Sequence, residues 1–293
     1  MTTEYFRPAT QEEALEVLFS RKEGVVLIAG GTDLMVKVNR KAIKPGAIMS
    51  LGKLGLSGIE SDGVKVTIGA ATTLSEILES SVIKDSAPVL HDAVSKMASG
   101  AIRNSATIGG NLCNASPAAD TAPPLMVLDA VLVARGPKGV RRIPISQFFL
   151  GPGKTVLASD EILTAVEFPK PSPSERTAYV KLGRRKSESL SVVSAAVLLD
   201  MEGELCKKAR IALGAVGPTP VLATAAARFL EGKKVGEPEA RTAAGMVLEQ
   251  IAPITDVRAS AWYRNQAARV VTSEALGRCL SGYLSAGPFS WCR

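Results

Sequence analysis

Two glycine-centred segments carry the clearest chemistry in the chain. Gly30-Gly31-Thr32-Asp33 follows the apolar run Val25-Val26-Leu27-Ile28-Ala29, and Thr107-Ile108-Gly109-Gly110-Asn111 follows Ser105-Ala106. Glycine reaches positive φ and lets an anion approach the backbone with no Cβ in the way. Successive N–H groups at such a turn can form an anion-binding nest, here beside the Thr32 hydroxyl. A plain strand-to-helix turn would use the same residues, so one such segment decides nothing alone. Two in one domain could embrace the two phosphates of a diphosphate from both sides. Asp120 follows closely, after Asn114-Ala115-Ser116-Pro117-Ala118-Ala119. Its carboxylate could accept from a sugar hydroxyl, or simply cap a helix ahead of Thr121 and Pro123.

Competing chemistries fail on spacing. There is no G-x-G-x-x-G, so the parallel-sheet dinucleotide fingerprint is absent. Gly153-Lys154-Thr155 resembles the end of a P-loop, but the first glycine of that motif would fall on Phe148. No G-x-S-x-G nucleophile elbow occurs. The four cysteines, Cys113, Cys206, Cys279 and Cys292, include no C-x-x-C pair, and His91 is the single histidine. A cysteine-held cluster or multi-histidine metal site in this chain is therefore not expected. His91 precedes Asp92 in a helical stretch and reads as structural rather than as a general base.

The 293 residues suggest two domains, and 35 basic against 28 acidic side chains leave a net charge of +7. That excess is scattered in pairs such as Arg141-Arg142 and Arg184-Arg185, and aromatics are only 4%. A nucleic-acid binder would concentrate it in a stripe, so no nucleic-acid partner is expected. No apolar run reaches the roughly 20 residues of a membrane span, and the start lacks signal-peptide character. A cytoplasmic protein with free thiols is the expectation.

The elements that must position the glycine segments are legible in outline. Thr10 and Glu13 have capping-box spacing ahead of a helix with Ala14, Leu15, Val17 and Leu18 on its apolar face. Residues 25–29 suggest a strand covered on both faces, and 47–51 another. Residues 64–70 alternate as a half-exposed strand, Thr73 to Glu76 starts a capped helix, and 86–101 suggest one further helix. A strand is expected over 161–168. Three prolines in Pro169-Lys170-Pro171-Ser172-Pro173 mark the domain boundary. Beyond it, strands at 177–182, 190–200 and 208–216 read as an antiparallel meander. Helices follow at about 219–231, 238–251 and 260–284.

These residues together carry a resemblance. Ile28-Ala29-Gly30-Gly31-Thr32-Asp33-Leu34, then Thr107-Ile108-Gly109-Gly110-Asn111 with Ala115-Ser116-Pro117 and Asp120, resemble the two FAD-binding signatures of the flavoprotein subunit of molybdenum hydroxylases. That family includes the FAD subunits of xanthine, nicotinate and carbon monoxide dehydrogenases. Asp160-Glu161-Ile162-Leu163 with Glu167-Phe168-Pro169, Tyr179-Val180-Lys181 with Arg184-Arg185, and Trp262-Tyr263-Arg264 are similar to three further landmarks, in order along nearly the whole chain.

The resemblance implies an α+β fold. It has a two-subdomain FAD-binding domain of the vanillyl-alcohol-oxidase/PCMH type over 1–170, split at about 55/56. A smaller C-terminal domain over 175–285 carries an antiparallel sheet plus helices. It further implies a non-covalent FAD. Leu27, Ile28, Ala29, Gly30, Gly31, Thr32, Asp33 and Leu34 would surround the diphosphate with Thr107, Ile108, Gly109, Gly110 and Asn111. Asp120 would bind an FAD hydroxyl, Leu163 would meet the adenine side, and Lys181 would sit near the flavin ring, unless it is a strand lysine facing solvent. Near the ring its charge would favour a reduced, anionic flavin by Coulomb attraction. Met97 falls where some relatives place an aromatic. The molybdenum cofactor and the [2Fe-2S] clusters are expected only on a large and a small partner subunit, with NAD or another compound as electron acceptor. A stand-alone flavin oxidoreductase with its own substrate cleft is the alternative.

Overall fold

The structure is a computed structural model and describes residues 3–21, 24–185 and 188–281. Cys292 and the end of the last expected helix and domain lie outside the described residues.

The first unit contains β1 (Glu4–Phe6), α1 (Gln11–Arg21), β2 (Val25–Ile28), α2 (Leu34–Asn39) and β3 (Ala47–Ser50). Its three strands are parallel, with β3 between β1 and β2. Thr10 Oγ1 accepts from the Glu13 N–H, and the Glu13 carboxylate accepts from the Ala9 N–H at 2.7 Å, so the helix starts where capping residues put it. Because β3 holds the centre, β2 is an edge strand and half-buried throughout, not covered on both faces as its β-branched run suggests.

The second unit contains β4 (Ile59–Ser61), β5 (Lys65–Gly69), α3 (Leu74–Glu79), α4 (Ser81–Ser86), α5 (Pro88–Ser95), α6 (Gly100–Arg103), α7 (Ile108–Cys113) and α8 (Ala122–Val127). It continues through β6 (Val131–Gly136), β7 (Gly139–Pro144), the hairpin β8 (Phe149–Gly151) and β9 (Lys154–Thr155), and β10 (Ile162–Pro169). An antiparallel sheet runs in the order β4-β5-β10-β6-β7. Val66 and Ile68 point from β5 into the core while their neighbours stay half-exposed, as the alternation predicts. Thr73 and Glu76 form a complete capping box. The single helix expected over 86–101 is instead interrupted. Pro88 opens α5, Ala98 turns at φ 47°, and Ser99 caps α6 by accepting from the Ile102 N–H. A proline cannot continue a helix, and positive φ ends one.

The third unit is a four-stranded antiparallel sheet of β11 (Glu175–Gly183), β12 (Ser191–Glu202), β13 (Leu205–Gly214) and β14 (Val221–Leu222), with α9 (Thr224–Leu230), α10 (Glu237–Met246) and α11 (Ala261–Ser281). The helix expected from about 219 begins at Thr224, because Val221 and Leu222 pair with β13. The sheet is buried on both sides. Tyr179, Ala196, Leu198 and Ala212 join the core of the second unit. Val180, Val197, Ile211 and Leu213 face the helices. The Arg264 side chain is 2% exposed and pins α11 to this sheet by donating to the Val192 and Ala215 carbonyls and to Asp256. Burial alone would raise the Asp256 pKa, but hydrogen bonds from Arg258 and Arg264 outweigh it and hold the carboxyl well below the usual range.

Two glycines of the second unit, Gly69 and Gly109, mark where backbones touch. A Cβ on Gly69 would sit 2.3 Å from the Leu56 carbonyl oxygen, and one on Gly109 2.6 Å from that of Ala70. One on Gly110 would meet only the Thr107 hydroxyl, at 2.9 Å. Gly109→Ala should therefore cost about 1–3 kcal/mol in urea denaturation, the usual penalty for overpacking. Gly110→Ala displaces only the Thr107 hydroxyl that caps α7, so it should cost less, about 0.5–1 kcal/mol. Equal stabilities for the two variants would refute this packing of α7.

Candidate cofactor-binding site

The first glycine loop turns the chain from β2 into α2. Gly31 adopts φ +70°, and its carbonyl accepts from Met35 N at 2.9 Å. Asp33 is the N-cap of α2 but makes no side-chain cap bond. The N–H groups of Gly30, Gly31, Thr32, Asp33 and Leu34 are spent on no acceptor among the described residues. Five successive half-buried or exposed donors are thus left for something outside the fold. Unpaired donors at a helix start are the physical basis of anion binding.

The second glycine loop opens α7, and its donors are already used. Ile108 N donates to the Thr72 carbonyl, Gly109 N to Ala70, Gly110 N to the Thr107 hydroxyl and Asn111 N to the Thr107 carbonyl. This loop supplies a bare wall: Thr107, Ile108 and Gly109 are buried, and Gly110 is the exposed position.

The two loops lie against each other. A Cβ on Gly30 would be 1.8 Å from the Ser105 carbonyl oxygen and 3.1 Å from Ala106 Cα, so only glycine lets the first loop rest on the residues leading into the second. Lys37 closes the contact, its ammonium lying 2.7 Å from Asp33 Oδ2 and 2.8 Å from Asn114 Oδ1. From there polar contacts run on. Thr121 Oγ1 donates to Asn111 Oδ1 at 2.6 Å, beside Asp120.

Asp120 does not cap α8, whose N-cap is Thr121. It is 4% exposed and binds three donors across the boundary between the second and third units. Tyr179 OH donates to Oδ1 at 2.7 Å, Ser191 Oγ donates to the same oxygen, and Lys181 Nζ lies 2.7 Å from Oδ2. Lys181 also donates to the Lys96 carbonyl at 3.0 Å, and its side chain is 6% exposed, so it does not face solvent. Burial first, then the Asp120 charge and hydrogen bond, push the Tyr179 pKa well above 10, which keeps it a protonated donor. Leu163 is buried at a β-bulge of β10, and Met97 is buried in the second unit's core. His91 Nε2 contacts the Leu78 carbonyl, as a structural histidine would.

Sequence reasoning singled out both loops, Asp120 and Lys181, and the structure brings these into one continuous strip. It missed Lys37, Thr121 and Ser191. Lys37 had a signal in its i+4 spacing from Asp33. Tyr179 stands two residues before Lys181, hence on the same strand face. Ser191 had none. Among the described residues no group of three or more His, Cys, Asp or Glu side chains could hold a metal ion, and no helix is long and apolar enough to cross a membrane.

Comparison with known proteins identifies the family. Residues 1–171 match the FAD binding domain in molybdopterin dehydrogenase, and residues 178–279 match the CO dehydrogenase flavoprotein C-terminal domain. The chain is 32% identical over 282 residues to the xanthine dehydrogenase FAD-binding subunit of Escherichia coli O157:H7, covering 94% of this chain and 96% of that one. It is 31% identical over 276 residues to the carbon monoxide dehydrogenase medium chain of Afipia carboxidovorans, with 94% and 96% covered. A solved carbon monoxide dehydrogenase chain from Hydrogenophaga pseudoflava superposes with a TM-score of 0.93 at 28% identity, covering 96% of this chain and 98% of that one. The chain belongs to the FAD-binding, or medium, subunit family of molybdenum hydroxylase-type dehydrogenases, a family of oxidoreductases. Its fold is an FAD-binding domain followed by the C-terminal flavoprotein domain.

The buried ion pair makes a direct prediction. Lys181→Met strands the Asp120 carboxylate without its cation, which should cost about 3–5 kcal/mol in urea denaturation. Adding Asp120→Asn to that variant should recover a large part of the loss. Simple addition of the two penalties would show that the pair is not coupled.

Proposed function

We propose that this chain binds one FAD without a covalent bond and serves as the electron-transfer subunit of a multi-subunit molybdenum hydroxylase. Electrons would arrive from [2Fe-2S] clusters on a small partner subunit and leave to NAD or another acceptor. Substrate would be oxidised at the molybdenum cofactor of a large subunit. A cytoplasmic location belongs to the same proposal, supported by free thiols at Cys113, Cys206 and Cys279.

The observation that carries the reading is the row of five unspent N–H groups from Gly30 to Leu34, in a loop that rests on Ser105 and Ala106, the residues leading into the second glycine loop. A diphosphate suits this donor set: it is anionic, and backbone donors bind it without a metal. FAD, when bound, supplies the exchange of electron pairs for single electrons. The chain's residues supply the rest. The first loop donates to the diphosphate, flanked by Leu27, Ile28 and Ala29. The second loop closes the other side through Thr107, Ile108, Gly109, Gly110 and Asn111. Asp120 and Lys181 stand at the flavin end and Leu163 at the adenine side. Lys181 reaches that end already paired with Asp120, so its field there is that of a dipole. The pair therefore shifts the flavin's electron affinity less than a bare ammonium would.

Gly110→Leu tests the site, because its side chain would project from an exposed position into the space assigned to the diphosphate. FAD affinity, followed by flavin fluorescence quenching, should fall at least about ten-fold, or about 1.4 kcal/mol, while the melting temperature falls no further than in Gly110→Ala. Retention of full flavin occupancy would mean that the diphosphate lies elsewhere.

A further inference from the structure

We propose that Tyr179 and Ser191 are positioning residues that set the flavin's electron affinity without touching it, by orienting the Asp120 carboxylate on Lys181. The proposal rests on the reading that FAD occupies the strip described above. Both side chains are 0% exposed and so cannot reach a ligand in any cleft. Both hydroxyls converge on one oxygen of Asp120, Oδ1. This leaves Oδ2 as the oxygen presented to Lys181.

Two hydroxyls on one oxygen stop the carboxylate from turning about its last bond, so they fix the direction in which Oδ2 meets the ammonium. They also withdraw part of the negative charge from the face toward Lys181, because each O–H dipole points its positive end at Oδ1. The clamp bridges two units. Asp120 follows α7, while Tyr179 and Ser191 sit on β11 and β12. Lys181 is fixed from the other side by the Lys96 carbonyl. The Lys96 ammonium in turn lies over the Tyr179 ring and donates to the Tyr179 carbonyl.

Removing the hydroxyls has two consequences with one sign. More uncompensated negative charge remains on Asp120, and Asp120 draws the ammonium more tightly to itself. Both disfavour added electrons on a nearby flavin. The test uses Tyr179→Phe, Ser191→Ala and the double variant of the full chain with FAD bound. It reads the flavin midpoint potential, FAD affinity and melting temperature. Each single variant should lower the potential. The double should lower it by more than the sum, because either hydroxyl alone can still hold Oδ1. Thr272→Val removes a buried hydroxyl that has no partner and serves as the control; its potential should stay at the parent value. If the double variant keeps the parent potential with FAD bound, the hydroxyls are structural only and the proposal is wrong, whatever happens to stability. A parent chain that takes up no FAD sinks the cofactor reading, and this proposal with it.

Discussion

The site depends on one backbone lying on another at Gly30. With any side chain there, the first loop could not rest on the Ser105 carbonyl, since even a Cβ would come within 1.8 Å of that oxygen. The contact brings the parallel sheet of the first unit against the helical part of the second, and Lys37 then bridges Asp33 and Asn114. Once the loops are so placed, their chemistry divides. The second loop spends its N–H groups on Thr72, Ala70 and Thr107 to hold its own shape. The first leaves five without an acceptor among the described residues. Two segments that look alike in sequence thus differ in structure, one with its N–H groups bonded and one with five left unbonded among the described residues.

At the other end of the strip a buried charge pair joins the second and third units. Taking two ions out of water is costly, and such a pair is tolerated when every remaining lone pair and proton finds a partner. Asp120 has three such partners in Tyr179, Ser191 and Lys181, and Lys181 has two acceptors in Asp120 and the Lys96 carbonyl. The β11–β14 sheet can support this because its two faces are covered by different layers, the second unit on one side and α9 to α11 on the other. A rigid sheet fixes the ammonium in place, which is what a group acting on a flavin's electron affinity requires.

Much of this was legible beforehand, for physical reasons that can be named. Glycine pairs after apolar runs, the proline cluster at 169–173 and the Thr73–Glu76 capping box are local signals, decided within a few residues. What stayed hidden was non-local. The half-burial of β2 follows from its place at a sheet edge. The break near 86–101 was written in Pro88, but Ala98 at positive φ carries no sequence mark. Whether a loop's N–H groups are spent or spare depends on carbonyls such as Ala70 and Thr72, 39 and 36 residues away along the chain from the Gly109 and Ile108 N–H groups they accept from. Ser191 lies 71 positions from the carboxylate it binds, and no spacing rule connects them.

On the proposed reading, the Gly30–Leu34 backbone, rather than the start of α7, supplies the hydrogen bonds to the cofactor. Amide hydrogen exchange with and without FAD tests it most directly. The N–H groups of Gly30, Gly31, Thr32, Asp33 and Leu34 should exchange freely in the apo chain and become protected when FAD binds, while Gly109 and Gly110 are protected in both states. Protection that appears at Ile108–Asn111 and leaves the first loop unchanged would contradict it.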